Sequence, residues 1–169
     1  FKTLIVSSLI AFSSSQAMAA TLKIATVVPN GSSWMNEMKA AAKEVKEKTD
    51  GRVKIKYYPG GVMGSDKTVL RKMRSGQLHG GAISAGALAH IYNGVNLYSL
   101  PFTFNNLDEV RHIRKTFDPI IAQGLEDNGF QLLGLSEGGF AYLMSNKALT
   151  QVSDIQGQKV WIPEGDLIG

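Results

Sequence analysis

The sequence has 169 residues, enough for one ordinary domain with a core of its own. Apolar residues make up 44% and charged residues 19%, which excludes a disordered chain. The formal net charge is +4 with the basic residues scattered, which argues against a nucleic-acid footprint, and the lack of cysteine removes disulfides, thiol catalysis and thiolate metal sites.

The chain opens "FKTLIVSSLIAFSSSQAMAA". One lysine, an apolar run of about ten residues and Ala-Met-Ala form the pattern of a secretory leader. Residues 1–19 are therefore expected to be a signal peptide cleaved after Ala19. The run is too short to span a bilayer, which needs roughly twenty apolar residues. Export without disulfides points to a bacterial periplasm. Loss of Lys2 with the leader leaves a mature charge of about +3, a mild attraction for anions.

Thr21 to Val28 is a near-continuous apolar run, expected as a strand buried on both faces. "PNGSS" is a turn in which Ser32 or Ser33 caps a helix. That helix, "WMNEMKAAAKEVKEKT", carries a stripe of Met35, Met38, Ala42 and Val45 and an i,i+4 pair, Glu44 and Lys48. Gly51 is its expected C′ residue. "RVKIKYY" alternates as a half-exposed strand. After the loop "PGGVMGSD", Asp66 to Ser75 reads as a helix with Val69, Leu70 and Met73 inward. "LHGGAIS" is a short strand, Ala87 to Tyr92 a short helix, and "NLYSLPFTF" an extended segment. Leu107 to Gln123 is helical with a possible break at Pro119, its apolar positions being Val110, Ile113, Phe117 and Ile121. "GFQLLGLSE", "GFAYLMSN" and "KVWIP" read as strands. The first two flank Glu137-Gly138-Gly139, as a hairpin or as one long strand bent at glycines. The alternation of strands and helices gives an α/β class with a mostly parallel sheet. Ligands on such sheets bind beyond the carboxyl ends of the strands. Those ends are Val28-Pro29-Asn30, Ser84-Ala85-Gly86 and Ser136-Glu137-Gly138.

Two motifs suggest other chemistry. Gly134-Leu135-Ser136-Glu137-Gly138 matches the G-x-S-x-G nucleophile elbow, but an elbow opens into a helix, and His79, His90 and His112 all lie upstream. "GGVMGSDKT" sits between a strand and a helix like a phosphate loop, yet Lys67 comes three residues after Gly64 instead of directly after it. The histidines share no metal-binding spacing.

Several spaced stretches together resemble the substrate-binding proteins of TRAP transporters, the DctP type. They are "YYPGGVMGSDKTVLRKMRSGQL", "LYSLPFTFNNLDEVR" and "DIQGQKVWIPEGD" in that order, supported by "KEVKEKTDGRVKIKYYP" and the leader. The resemblance covers Ala20 to Gly169. It implies a periplasmic-binding-protein-like α/β clamshell of two domains that close over a small organic acid. The protein then delivers the solute to a two-subunit, sodium-coupled membrane permease. Family members are about twice this length. Residues 20–137 would then be an incomplete first domain, and 138–169 a crossing strand and the start of the second.

The family's usual carboxylate anchor is an arginine at the position that Trp161 occupies here. A second arginine of some members falls on Ala141, and a glutamate of some members on Ser84. No arginine follows Arg114. The candidate ligand-binding residues are Asn30, Ser32, Trp34, Ser84, Ala85, Gly138, Phe140, Tyr142, Trp161, Pro163, Glu164 and Asp166. No catalytic residue, metal or cofactor is expected, no nucleic-acid partner, and no span of its own. A serine hydrolase using Ser136, or the binding protein of an ATP-driven importer, remains the alternative.

Overall fold

The computed structural model describes residues 19–100, 103–140 and 142–160. Its elements are strand β1 (Ala20–Thr26), helix α1 (Ser33–Lys48), strand β2 (Val53–Tyr58), helix α2 (Asp66–Arg74), strand β3 (Gly80–Ala82), the short helix α3 (Ala85–Leu88) and helix α4 (Leu107–Glu126). Two 3-10 helices, Asn93–Ser99 and Val152–Ile155, complete them. The strands form a parallel sheet in the order β2-β1-β3, with Ile24 opposite both Tyr57 and Gly80. The class is the α/β expected. Among the described residues no helix is long and apolar enough to cross a membrane.

β1 is central but not buried on both faces: only Ala25 and Thr26 are buried, and Thr21 and Lys23 are exposed. Those two polar residues sit at alternate positions, a period-2 signal within the apolar run. α1 forms as its sequence predicts. Ser32 is the N-cap, its hydroxyl accepting from the Met35 N–H. Met35 is buried and Met38, Ala42 and Val45 are half-buried. Lys48 Nζ lies 2.6 Å from Glu44. The helix ends one residue differently from expectation. Thr49 is the C-cap, Asp50 takes the left-handed position at φ 49°, and the Gly51 N–H donates to the Lys46 carbonyl at 2.8 Å. This is a Schellman closure with Gly51 at C″.

α2 buries Val69 and Leu70, and Val69 forms a cluster with Ala25 and Leu78, joined by Tyr58, Met63, Met73 and Ile83. A second cluster gathers Val95, Ile121 and Leu125, with Leu88, Tyr92, Phe130 and Leu132 packed around it. A Cβ on Gly124 would lie 2.5 Å from the Tyr92 ring, so that ring lies across α4 only because residue 124 has no side chain. α4 runs through Pro119 without a break. Pro119 is on the exposed side, where the lost backbone bond is least costly.

Four expectations of extended structure are corrected. The "NLYSLPFTF" stretch begins inside the 3-10 helix Asn93–Ser99 instead of running extended; the Asn96 amide donates to Asn93 Oδ1 at 2.6 Å and tightens that turn. The runs at 129–137 and 139–146 form no strand among the described residues, and neither do residues 159 and 160. Their β-type composition meets no partner edge, and a strand without a ladder leaves its backbone groups to water. Leu133 and Met144 are accordingly 93% and 89% exposed.

Candidate functional site

The parallel pairing brings two predicted strand ends to one edge of the sheet. Thr26 pairs with Ala82, so the chain leaving β1 through Asn30, Ser32 and Trp34 and the chain leaving β3 through Ser84 and Ala85 emerge side by side. The loop before α2 closes on the same exit: the Gly60 and Gly61 N–H groups donate to the Val28 and Thr26 carbonyls at 2.8 and 3.0 Å. Lys72 Nζ holds the loop from below by donating to the Met63 carbonyl at 2.9 Å. Gly64 sits at φ +102°, and a Cβ there would meet Thr68 Cγ2 at 2.8 Å, so only glycine makes this entry to α2.

Each predicted residue at this edge has a defined setting. Asn30 is exposed and accepts from Lys39 Nζ at 2.7 Å, which sets a cation beside it. Ser32 uses an oxygen lone pair in capping and keeps its O–H free to donate. Trp34 is half-buried at the first turn of α1. Ser84 precedes α3, its side chain makes no cap bond, and its N–H donates to Asp66 Oδ2 at 2.9 Å. Ala85 packs on the second cluster.

Asp66, which local pattern marks only as a helix start, belongs to the same edge. Its Oδ1 is buried and has no hydrogen-bond partner among the described residues. A buried acceptor left unpaired is costly, and this oxygen lacks a donor that the described residues do not supply. The signal that could have found it is an acidic residue directly after a glycine loop at a strand exit.

The residues beyond 134 are placed by other means. Arg114 on α4 donates from Nη2 to the Leu135 carbonyl, from Nη1 to Glu137 Oε1 and from Nε to Asp118 Oδ2, each at 2.9 Å. Arg111 lies 3.5 Å from Glu137. Tyr98, from the 3-10 helix, donates its hydroxyl to Asp118. The Tyr98 phenol is pushed well above its ordinary pKa by burial and then by the neighbouring Asp118 carboxylate. Its partners, Asp118 foremost and Glu137 next, raise the Arg114 guanidinium above its ordinary value against an opposing effect of burial. Gly138, Phe140 and Tyr142 lie further along, all exposed, with Tyr142 79% so. Trp161, Pro163, Glu164 and Asp166 lie outside the described residues, as do the leader residues 1–18 and Ala141.

The alternative motifs take non-catalytic geometries. The amides of Gly60, Gly61 and Gly64 donate to backbone carbonyls and are not free to cradle a phosphate. Ser136 is exposed in a stretch with neither strand before it nor helix after it, so the elbow is not formed. His79 Nδ1 accepts from the Lys23 N–H at 3.1 Å, a pairing within the sheet. A groove of about 530 Å³ lies between α1 and β2 and is bordered by Lys39, Lys43, Lys46 and Tyr57; none of the predicted site residues lines it.

Residues 24–169 match the family described as bacterial extracellular solute-binding protein, family 7, also termed DctP. A solute-binding protein of Chromohalobacter salexigens is 30% identical over 144 residues, covering 82% of this chain and 41% of the relative. A TRAP periplasmic solute-binding protein of a Sulfitobacter species, solved with bound β-D-galacturonate, is 26% identical and superposes with a TM-score of 0.63 over 68% of this chain and 39% of that one. Another from Chromohalobacter salexigens, with bound D-glucuronate, is 28% identical with a TM-score of 0.61, covering 67% and 38%. The chain thus spans less than half the length of the relatives it matches.

Proposed function

The chain belongs to the bacterial extracellular solute-binding proteins, family 7, and on that premise we propose that it binds a small sugar acid of the hexuronate type and delivers it to a TRAP permease. The observation that carries the reading is the shared exit of β1 and β3. It places the Ser32 hydroxyl, Ser84 and the unpaired Asp66 Oδ1 at one sheet edge, with the Lys39 ammonium beside Asn30. Hydroxyl groups of a sugar would donate to Asp66, and a carboxylate would gain from the lysine. The bound uronates of the two solved relatives are of this chemistry.

On this reading residues 20–137 belong to the first domain and residues 138–169 enter the second. Gly138, Phe140, Tyr142, Trp161, Pro163, Glu164 and Asp166 are its contribution to the cleft. Trp161 stands where the family's carboxylate-anchoring arginine is found, so an aromatic face would cover the sugar there and the anion would be held elsewhere. Residues 1–19 act as the leader, removed after Ala19, and a sodium-coupled permease is the partner.

Calorimetric titration of the protein at its full natural length with D-galacturonate, D-glucuronate and succinate tests this. Saturable binding of a uronate, weakened by Asp66→Asn and altered by Trp161→Arg, is the expected result. Heat with none of the three, or uronate binding indifferent to Asp66 and Trp161, overturns it.

A further inference from the structure

We propose that the lysine-lined groove between α1 and β2 is an electrostatic capture surface that draws an anionic solute to the β1 exit. The proposal rests on the solute-binding function proposed for this chain. In sequence the basic residues are scattered; the fold gathers five of them. Lys39, Lys43 and Lys46 recur at i, i+4 and i+7 along one side of α1. Lys54 and Lys56 alternate along β2, and the packing of α1 on β2 brings both sets to one groove. The rest of its lining is Ala42, Ile55 and Tyr57, so among the described residues the groove wall holds five cations and no carboxylate. Five exceeds the formal net charge of +4 for the whole chain, so the rest of the chain carries no surplus of positive charge.

These charges act on the solution outside. All five lysines are exposed. The Lys43 ammonium has Glu47 3.8 Å away, a loose pair in which both side chains are open to water. The Lys56 ammonium lies 5.1 Å over the Tyr58 ring, a contact that holds the cation without neutralising it. Successive lysines on α1 are three or four residues apart, about 5–6 Å along the axis, within the screening length of about 8 Å at physiological salt. Their fields therefore add into one positive track. The track has a defined inner end, because Lys39 lines the groove and also donates to Asn30 at the exit of β1. Exposed lysines hold an anion only weakly, so such a track acts on the rate of encounter more than on the bound state. It concentrates a negatively charged solute at the edge where the exits of β1 and β3 meet.

Stopped-flow mixing of D-galacturonate with the protein at its full natural length gives association and dissociation rates separately. The paired variant Lys43→Glu with Lys46→Glu should slow association about fivefold at low salt and leave dissociation unchanged. High salt should abolish its difference from the parent. A control pair with the same charge change, Arg71→Glu with Lys115→Glu at exposed positions of α2 and α4, should stay near the parental rate. Lys54→Glu, on the other wall, should slow association about twofold, and it decides the matter should the paired variant fold poorly. Equal slowing by groove and control pairs overturns the proposal, as does an unchanged association rate in the groove variants. Faster dissociation with unchanged association marks a contact in the bound state and overturns it too. Those three results leave uronate binding itself standing. If the parent binds no D-galacturonate, the ligand reading fails and the proposal falls with it.

Discussion

Two stretches that both read as strands behave in opposite ways. "TLKIATV" near the start is the centre of a sheet, bonded on one side to β2 and on the other to β3. "QLLGLSEGGF" later on is an irregular segment attached, among the described residues, by Leu132 in a cluster, by the Arg114 fork at Leu135 and Glu137, and by Arg111 at Glu137. The first stretch is rich in β-branched residues and the second carries three glycines, which lowers its strand propensity. An adjacent backbone edge completes a ladder only for the first among the described residues. A strand is a property of a pair, and a segment that lacks its neighbour is located by side chains instead.

The most severe test of that contrast uses one substitution at two sites in this chain. Leu125→Ala removes a side chain that is 1% exposed from the second cluster and should cost about 2–5 kcal/mol. Leu133→Ala, at a 93% exposed site in the irregular segment, should stay within about 0.5 kcal/mol. Equal losses in denaturant melts would show that the second stretch is packed after all. Next in size, Gly64→Ala should cost about 1–3 kcal/mol, since it forces a Cβ into Thr68 at a positive φ and disturbs the loop that closes the β1 exit. Urea midpoints would record it, and a neutral outcome would mean the loop does not govern that edge. Ser32→Ala should cost about 1 kcal/mol by freeing the Met35 N–H, while Ser33→Ala, one residue on and without that cap bond, should cost less.

The smallest effect is confined to alkali. The Tyr98 proton is held more tightly in the fold than in the unfolded chain, where tyrosine titrates near pH 10. The stability it contributes is present below that pH and is lost as pH rises above it, because the unfolded chain then releases a proton the fold retains. Tyr98→Phe should flatten the decline of melting temperature above about pH 10, with little change at pH 7. An equally steep decline in the variant would remove Tyr98 from the network that orients Arg114.

Much of the site's scaffold is legible from local pattern. The period of Met35, Met38, Ala42 and Val45 marks the buried face of α1, the serine before it marks the cap, and the alternation at Val53 to Tyr58 marks β2. The shared location of Asn30, Ser32 and Ser84 is legible because residues at strand exits of a parallel sheet gather at one edge whatever their identity. Asp66 escapes such a reading because its value as an acceptor comes from a burial that no neighbouring residue announces. Arg114 reads only as a residue on a helix face, since Tyr98, Leu135 and Glu137 lie 16 to 23 positions away from it in sequence.

The sequence by itself determined the α/β class, the buried stripe and N-cap of α1, and the family, because these depend on short periodicities and spaced motifs that survive in one dimension. The tertiary structure alone decided which apolar runs become strands, which carboxylate oxygen is left without a donor, and what holds the chain at Glu137. Each of these depends on a partner brought close by folding, and the free energy of a hydrogen bond or a packed side chain belongs to the pair that makes it.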